Sequence, residues 1–355
     1  MNDLLFFRHP YVHITCFQVR DTIIQSGKQV ELEPKTLQYR GTDRMEVRRT
    51  MMNAVSRRQF LSRAGLALTG ASYLSSEPER LNANPLNMPI GFQAYDARKA
   101  LIQDFDGAWR TLAGYGFQTV DLVSFAGYGY ENSRLSQMSA RQILRSMNAA
   151  GISCENCQFE YDELHDTYDK KISFSHELGL KNIVCASAMG RTKTGDDWKW
   201  QAGQLNALGD KMKRDGFKLG YHNHEIEFIA VDGAMPYEIL MRETDPKLVK
   251  FQIDVGNLSF AGQDAVAWLT RYPDRYFSMH AKDFSPGKMS VPVGQGVIDW
   301  KKVFEAAKAA HIENYFAECS SYGARTLQGT PAAAWPSDIM DQLRLSCLFL
   351  RNFTV

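Results

Sequence analysis

The sequence lacks the charge excess that most nucleic-acid-binding proteins carry. Its 355 residues include 41 lysines and arginines against 40 aspartates and glutamates, so the net charge is close to zero. Because binding to nucleic acid depends on a basic surface that displaces counterions from phosphates, this balance argues against a DNA or RNA partner. The chain also lacks any uninterrupted apolar run near the roughly 20 residues that a membrane helix needs, so we expect no stable membrane span.

Cysteine is scarce as well. Six cysteines are scattered along the chain, which argues against the disulfide framework of small secreted proteins. Cys154 and Cys157 form a Cys-x-x-Cys, yet no second pair completes a zinc site, and residues three apart on a strand point to opposite faces. We interpret both cysteines as structural.

The N-terminal region differs in composition from the rest of the chain. Residues 1–50 show no convincing periodicity, whereas Ser-Arg-Arg-Gln-Phe-Leu at 56–61 precedes a short apolar stretch at 66–74. A basic start followed by a short apolar region is typical of an export signal, and this one resembles the twin-arginine signal. We therefore predict a twin-arginine-type segment at 51–83, a periplasmic location, and a non-native extension at 1–50 that reflects the choice of start codon. A basic amphipathic helix packed on the fold is the alternative.

Strand and helix signals alternate through residues 88–355. The predicted strands lie at 90–94, 119–123, 182–186, 217–221, 251–254, 276–280 and 315–318, and a further strand, the third in the chain, begins at 151–154. Eight strand-helix units in about 265 residues match a single-domain (β/α)8 TIM barrel. A doubly wound open sheet is the rival fold, but the glycine-rich phosphate-binding motifs of nucleotide-binding sheets are missing.

Four successive predicted strands end in residues that bind metals in other proteins, namely His222, Asp254, His280 and Glu318. The carboxyl ends of barrel strands meet at one mouth, and divalent cations accept imidazole and carboxylate ligands. The pattern therefore predicts a divalent metal site. His224 remains an alternative to His222, because a shift of one residue exchanges the inward and outward faces of a strand.

Nearby polar residues have two interpretations each. Lys282 is a candidate for stabilising enolate charge, or else forms a salt bridge with its neighbour Asp283. We interpret Glu225 and Glu227 as solvated loop carboxylates. His224 is a candidate for proton transfer, since imidazole exchanges protons near neutral pH.

The order of these motifs resembles the xylose-isomerase-like sugar phosphate isomerase/epimerase family, which includes inosose dehydratases and ketose 3-epimerases. The resemblance rests on His222-Asn-His224, Gln252-Ile-Asp254-Val-Gly, His280-Ala-Lys282-Asp283, the Gly-Gln-Gly-Val-Ile-Asp-Trp run at 294–300, and Phe316-Ala-Glu318. It implies a divalent ion, most often Mn²⁺, with Zn²⁺, Co²⁺ and Mg²⁺ as alternatives. In the epimerases the ligands are Glu, Asp, His and Glu; Asp254, His280 and Glu318 match, whereas His222 replaces the first glutamate.

That replacement bears on the reaction that the resemblance implies. Epimerases of this family use two glutamates to move a proton between the faces of a sugar, and here Glu318 alone matches them as a base. We predict a metal-dependent isomerase or epimerase that removes a proton next to a carbonyl of a free sugar or keto-sugar, with Glu318, Lys282 and His224 as catalytic residues.

The sequence is also compatible with other functions and with more than one oligomeric state. The nearest alternative is a lyase or dehydratase acting on a 3-keto-glycoside or an inosose-like substrate. A second is a non-catalytic periplasmic sugar-binding protein. A DNA-repair endonuclease is disfavoured by the neutral charge and the export signal. A homo-oligomer is compatible with all of these functions.

Overall fold

The computed structural model describes residues 84–320 and 339–355. The predicted extension at 1–50 and the twin-arginine-type segment at 51–83 lie outside the described residues, and both stay predictions. Among the helices that the structure describes, none is long and apolar enough to cross a membrane.

Eight parallel strands close into a barrel. In chain order the strands are β1 (Ile90–Gln93), β2 (Thr119–Val123), β3 (Ser153–Phe159), β4 (Asn182–Cys185), β5 (Lys218–His222), β6 (Val249–Asp254), β7 (Tyr276–Phe284), β8 (Ser290–Val291) and β9 (Asn314–Glu318). All strands of the described residues except β8 form this barrel. Each of β1 to β6 pairs with the next strand, β7 pairs with β6 and β9, and β9 pairs back with β1. The predicted (β/α)8 TIM barrel is therefore confirmed, with β9 as its eighth strand.

The short strand β8 was not predicted. It pairs antiparallel with the end of β7, where Phe284 faces Ser290, so it forms a small hairpin above the barrel. A two-residue strand has too few side chains to show the alternation on which sequence-based prediction depends.

Helices cover the outside of the barrel. They are α1 (Arg98–Gln103), α2 (Phe105–Tyr115), α3 (Ala140–Ala150), α4 (Tyr161–Asp166), α5 (Tyr168–Leu178), α6 (Gly195–Arg214), α7 (Pro236–Glu243), α8 (Val255–Phe260), α9 (Ala265–Arg271), α10 (Trp300–Ala309) and α11 (Ile339–Asn352). Local sequence sets their ends, as at α3, where Ser139 and Gln142 form a capping box and Gly151 adopts a φ of 76°. Large apolar side chains such as Trp109, Trp198 and Phe304 are fully buried.

The inside of the barrel differs from the outer core. Many inward-facing side chains there are polar, including Gln93, Asp121, Asn156, Gln158 and Gln252, and all are buried. Cys154 and Cys157 on β3 are buried free thiols, which agrees with their interpretation as structural residues. TIM-barrel interiors are dominated by branched aliphatic residues, so this polar interior calls for an explanation from the site above it.

Candidate metal centre

Neighbouring strands bring the four predicted ligands together at the mouth of the barrel. His222, Asp254 and Glu318 are the last residues of β5, β6 and β9, and His280 lies in β7 opposite Asp254. One ligand atom from each side chain lies within 4.8 Å of the others. All four side chains are buried. The carboxyl ends of consecutive parallel strands therefore build a single cluster.

His280 lies between two carboxylates. Its Nδ1 is 2.6 Å from Glu318 Oε2, and its Nε2 is 2.7 Å from Asp121 Oδ2. Burial opposes a charged imidazole, but the hydrogen bonds to Asp121 and Glu318 raise the pKa of His280 to about 10. A cation that bound Glu318 and His280 would replace the proton that the two side chains share, since metal binding releases protons from its ligands.

His222 has the opposite electrostatics. Burial first, and then the neighbouring His280 and His224, hold its pKa well below the ordinary value for histidine. Its Nδ1 is 3.0 Å from Gln252 Oε1, and its Nε2 is 3.9 Å from Asp254 Oδ2. A neutral imidazole with one hydrogen-bonded nitrogen is the form in which histidine binds a metal.

Asp254 has one satisfied and one unsatisfied carboxylate oxygen. Asp254 Oδ1 accepts a hydrogen bond from the Asn257 backbone N–H at 2.8 Å, whereas Oδ2 is buried without a hydrogen-bond partner. Burial raises the pKa of this carboxyl to about 7. An unsatisfied buried carboxylate oxygen is costly, and a divalent cation coordinated there would remove the penalty. The donor set of two imidazoles and two carboxylates therefore fits a divalent metal ion.

Lys282 belongs to the same cluster. Its Nζ donates to Glu318 Oε1 and Asn257 Oδ1, both at 3.0 Å, and lies 3.9 Å from Asp254 Oδ2. Burial opposes its charge, but Glu318 and Asp254 raise the pKa of Lys282 above its ordinary value. The buried ammonium is consequently held in its protonated form beside the ligands.

The alternative pairing of Lys282 with Asp283 is wrong. Alternation along β7 turns the two side chains to opposite faces of the strand. Asp283 Oδ2 instead accepts hydrogen bonds from the Gly294 and Gly296 backbone N–H groups and from the Trp300 indole. Asp283 therefore anchors the loop between β8 and α10.

Glu318 is stabilised as an anion. Its Oε1 accepts hydrogen bonds from Lys282 and from the Ser320 hydroxyl, and its Oε2 contacts His280. Burial works against the charge, yet Lys282 and His280 hold the pKa of Glu318 well below its usual range. These contacts give Glu318 the ionised form that a metal ligand requires.

His224 lies two residues beyond the end of β5. It is half-buried, and its ring centroid is 4.9 Å from that of His222. Since the ligand atoms that cluster within 4.8 Å include those of His222, the geometry favours His222 over His224 as the ligand. His224 therefore lies beside the cluster.

The interpretation of Glu225 and Glu227 as solvated carboxylates is wrong, because both are buried. Glu227 accepts a hydrogen bond from the Tyr221 hydroxyl at 2.6 Å and another from the His224 backbone N–H at 2.9 Å. Burial raises the pKa of Glu227 to about 7. Glu227 thus fixes the turn that carries His224.

Sequence reasoning missed Asp121 and Gln252 as parts of the site. Asp121 is fully buried in β2, where it contacts His280 from the far side of the barrel. The one available signal was its place in the strand Thr119–Val123, since an aspartate inside an apolar strand requires buried partners.

Comparison with known proteins agrees with this architecture. The Xylose isomerase-like TIM barrel family model matches residues 109–344. An inosose dehydratase from Geobacillus thermodenitrificans is 27% identical over 240 residues, covering 56% of this chain and 80% of the relative. A crystal structure of a sugar phosphate isomerase/epimerase from Parabacteroides distasonis has a TM-score of 0.61 at 22% identity, covering 75% of this chain and 96% of that one.

A zinc-containing structure has the same fold. The IOLI protein, whose crystal structure has a zinc atom bound, gives a TM-score of 0.56 at 13% identity, covering 75% of this chain and 98% of that one. At such identities the solved structures establish the fold alone. The family match over 109–344, which spans more than half of the chain, shows that the chain belongs to the Xylose isomerase-like TIM barrel family.

Proposed function

We propose that this protein is a divalent-metal-dependent enzyme that removes a proton next to the carbonyl of a free sugar, keto-sugar or inosose-like polyol. The observation that carries the proposal is the cluster of His222, Asp254, His280 and Glu318, in which a buried oxygen of Asp254 lacks a hydrogen-bond partner. The inosose dehydratase and the isomerase/epimerase among its relatives support an enzyme of this kind.

The four clustered residues would hold the ion. Mn²⁺ remains the expected metal, with Zn²⁺, Co²⁺ and Mg²⁺ as alternatives; the two imidazole nitrogens also suit Zn²⁺ and Co²⁺. When bound, such an ion supplies a Lewis acid that polarises a carbonyl or hydroxyl oxygen.

We propose separate roles for Lys282, in charge stabilisation, and for His224, in proton transfer. The Lys282 ammonium, held by Glu318 and Asn257, supplies fixed positive charge where an enolate oxygen becomes negative. The sequence predicts Glu318 as the base. Because the charge of Lys282 and the hydrogen bond to His280 lower the pKa of Glu318, they weaken it as a base. We therefore propose that the His224 imidazole takes up the proton and that Glu318 acts mainly as a ligand.

We propose β-elimination as the reaction type, with isomerisation or epimerisation as the alternative. Two-sided proton transfer needs a base on each face of the sugar, and the residue at the end of β5 is a buried imidazole, His222, that points to the ligands. After one-sided removal of the proton, the C–H electron pair forms a C=C bond, the β-carbon–oxygen bond breaks, and the hydroxyl leaves as water with a proton from an acid. The similarity to an inosose dehydratase supports elimination over isomerisation or epimerisation.

The expected substrate is a free small molecule rather than a phosphate ester. This expectation rests on the proposed twin-arginine export, since a periplasmic protein meets few sugar phosphates. A fusion of residues 51–83 to a reporter that is active only after twin-arginine export tests it, with Arg57→Lys/Arg58→Lys as the control. Cytoplasmic retention of the unaltered fusion would refute export.

Product analysis distinguishes the reactions. Metal-loaded protein is incubated in D₂O with inososes and keto-sugars, and products are followed by ultraviolet absorbance and by NMR. Elimination yields a conjugated enone and water, whereas epimerisation yields a deuterated stereoisomer. His224→Asn should lower the rate while metal content stays the same. Saturable sugar binding without turnover, unaffected by chelators or by Glu318→Gln, would overturn the enzyme proposal in favour of a binding protein.

A further inference from the structure

Two polar layers fill the barrel below the metal cluster. The upper layer consists of Gln93, Asp121, Gln158, Gln252 and Ser278, and the lower layer consists of Asn156, Asn182 and Asn314. The layers follow from strand periodicity: Asn156 and Gln158 lie two residues apart on β3, and Ser278 lies two residues before His280 on β7. A buried amide costs free energy unless it is hydrogen-bonded. The presence of this many buried amide side chains in one barrel interior therefore indicates a function for them.

Asp121 is the centre of the upper layer. Its Oδ2 is 2.7 Å from His280 Nε2 and accepts hydrogen bonds from Gln158 and Gln252 at 3.0 Å and from Gln93 at 3.3 Å. An ionised carboxylate only accepts hydrogen bonds, so the His280 nitrogen in this contact carries the hydrogen. Asp121 thereby leaves Nδ1 of His280 as the nitrogen that faces Glu318 and the cluster.

Gln252 extends this effect to the second imidazole. Its amide nitrogen donates to Asp121 Oδ2 and to Ser278 Oγ, both at 3.0 Å, which turns its Oε1 toward His222 Nδ1 at 3.0 Å. Because Oε1 only accepts hydrogen bonds, Nδ1 of His222 carries the hydrogen. Nε2 of His222 then keeps its lone pair and lies on the side of Asp254.

We infer that Asp121 is a positioning residue that presets both histidines of the metal centre. It acts on His280 directly and on His222 through the amide of Gln252, so that one carboxylate selects the nitrogen that each imidazole offers to the ion. The inference rests on the proposed metal-dependent function. A flip of the Gln252 amide would place its N–H groups against His222 Nδ1 and its oxygen against the Asp121 carboxylate, so the charge of Asp121 opposes that flip.

Loss of the Asp121 charge should therefore change the tautomer of His222, a residue that Asp121 does not contact. Removing a partner that orients a metal ligand typically lowers metal affinity about 10- to 100-fold. In Asp121→Asn the side chain keeps its shape but offers both a donor and an acceptor. The charge then no longer opposes a flip of the Gln252 amide, and the hydrogen bond from Gln158 Nε2 to Gln252 Oε1 at 2.9 Å is what still favours the observed orientation. We expect a mixture of His222 tautomers and an affinity for Zn²⁺ lower by about 10- to 100-fold.

The experiment uses the full chain labelled with ¹⁵N-histidine. Long-range ¹H–¹⁵N NMR of the metal-free protein reports which nitrogen of His222 carries the hydrogen, with His222→Gln for assignment, and chelator competition gives the Zn²⁺ affinity. Asn182→Ala is the matched control: it removes a buried hydrogen bond to Asn156 in the lower layer and leaves both imidazoles and Asp121 untouched.

The outcomes separate the hypotheses. The inference requires Nδ1–H at His222 in the unaltered protein, a changed tautomer ratio and weaker Zn²⁺ binding in Asp121→Asn, and neither change in Asn182→Ala. An unchanged tautomer ratio in Asp121→Asn, or an equal loss of affinity in Asn182→Ala, would overturn it. If Asp121→Asn does not fold, Gln252→Met interrupts the same relay and must change the His222 tautomer. If the unaltered protein binds no Zn²⁺ or Mn²⁺, the proposed function fails, while the tautomers still judge the role of Asp121.

Discussion

The buried carboxyl of Glu227 predicts a specific dependence of stability on pH. Burial raises its pKa from 4.5 to about 7, although the Tyr221 hydroxyl and the His224 backbone N–H both donate to it. A pKa unit corresponds to about 1.4 kcal/mol, so the difference between the folded and unfolded chains amounts to about 3 kcal/mol. The side chain is fully buried, so solvent screening does little to reduce this value.

The direction follows from which state binds the proton more tightly. The folded chain holds the Glu227 proton up to about pH 7, whereas the unfolded chain releases it near the ordinary value of 4.5. The stability that this proton contributes is therefore fully present below about pH 4.5 and is lost as the pH rises through 7. Glu227→Gln removes the titration and keeps the shape, since the amide can still accept from His224 N and donate to the Tyr221 oxygen.

Unfolding in guanidinium chloride at a series of pH values, in the presence of a chelator, measures the effect. We expect the free energy of unfolding of Glu227→Gln, relative to the unaltered protein, to increase by about 3 kcal/mol between pH 4.5 and pH 8. Glu131→Gln, a change of the same kind at an exposed turn, should leave the pH dependence unaltered. Parallel pH profiles for Glu227→Gln and the unaltered protein would refute the conclusion that ionisation of the buried Glu227 carboxyl destabilises the folded chain.

Three further predictions concern the metal centre. Asp254→Asn should abolish the rise in melting temperature that Zn²⁺ or Mn²⁺ produces, because the oxygen without a partner is lost; an undiminished rise would place the ion elsewhere. Lys282→Met should lower kcat about 100-fold at unchanged metal content, as measured by steady-state kinetics and mass spectrometry of bound metal, and a normal kcat would exclude its role in charge stabilisation. His222→Glu should shift the ratio of Zn²⁺ to Mn²⁺ affinity toward Mn²⁺ in competition titrations, because it replaces a nitrogen ligand by an oxygen ligand.

The positions of most barrel strands, and with them the grouping of the four candidate ligands, could be predicted from the sequence alone, although β3 extends to Phe159, well beyond the predicted start at 151–154. Parallel barrel strands are buried on both faces, so they read as short apolar runs, and the prediction for 119–123 coincides with β2. Once eight such runs are placed, closure of the barrel brings the ends of β5, β6 and β9 to one mouth. Local patterns and one topological rule were sufficient for this part of the site.

Contacts that depend on register across the barrel could not be predicted. Lys282 contacts Glu318 because the two residues are paired across β7 and β9, whereas Asp283 is its neighbour in sequence. Asp121 and His280 are 159 residues apart in the chain, and they meet only across the closed barrel. The burial of Glu227 depends on the turn after β5, whose charged sequence is typical of an exposed loop.

The histidine at the end of β5 and the glutamine on β6 are best understood as a pair. A glutamate in place of His222 would need hydrogen-bond donors below it, whereas the imidazole needs an acceptor for its Nδ1–H, and Gln252 provides one at 3.0 Å. Relative to the Glu, Asp, His, Glu set of the epimerases, this ligand set carries one negative charge fewer, and the Lys282 ammonium adds a positive charge 3.0 Å from Glu318. Fewer anionic ligands would neutralise less of a bound cation's charge. Under the proposed function, His222 in place of a glutamate would therefore strengthen the electrostatic stabilisation of an enolate while it removes a second base.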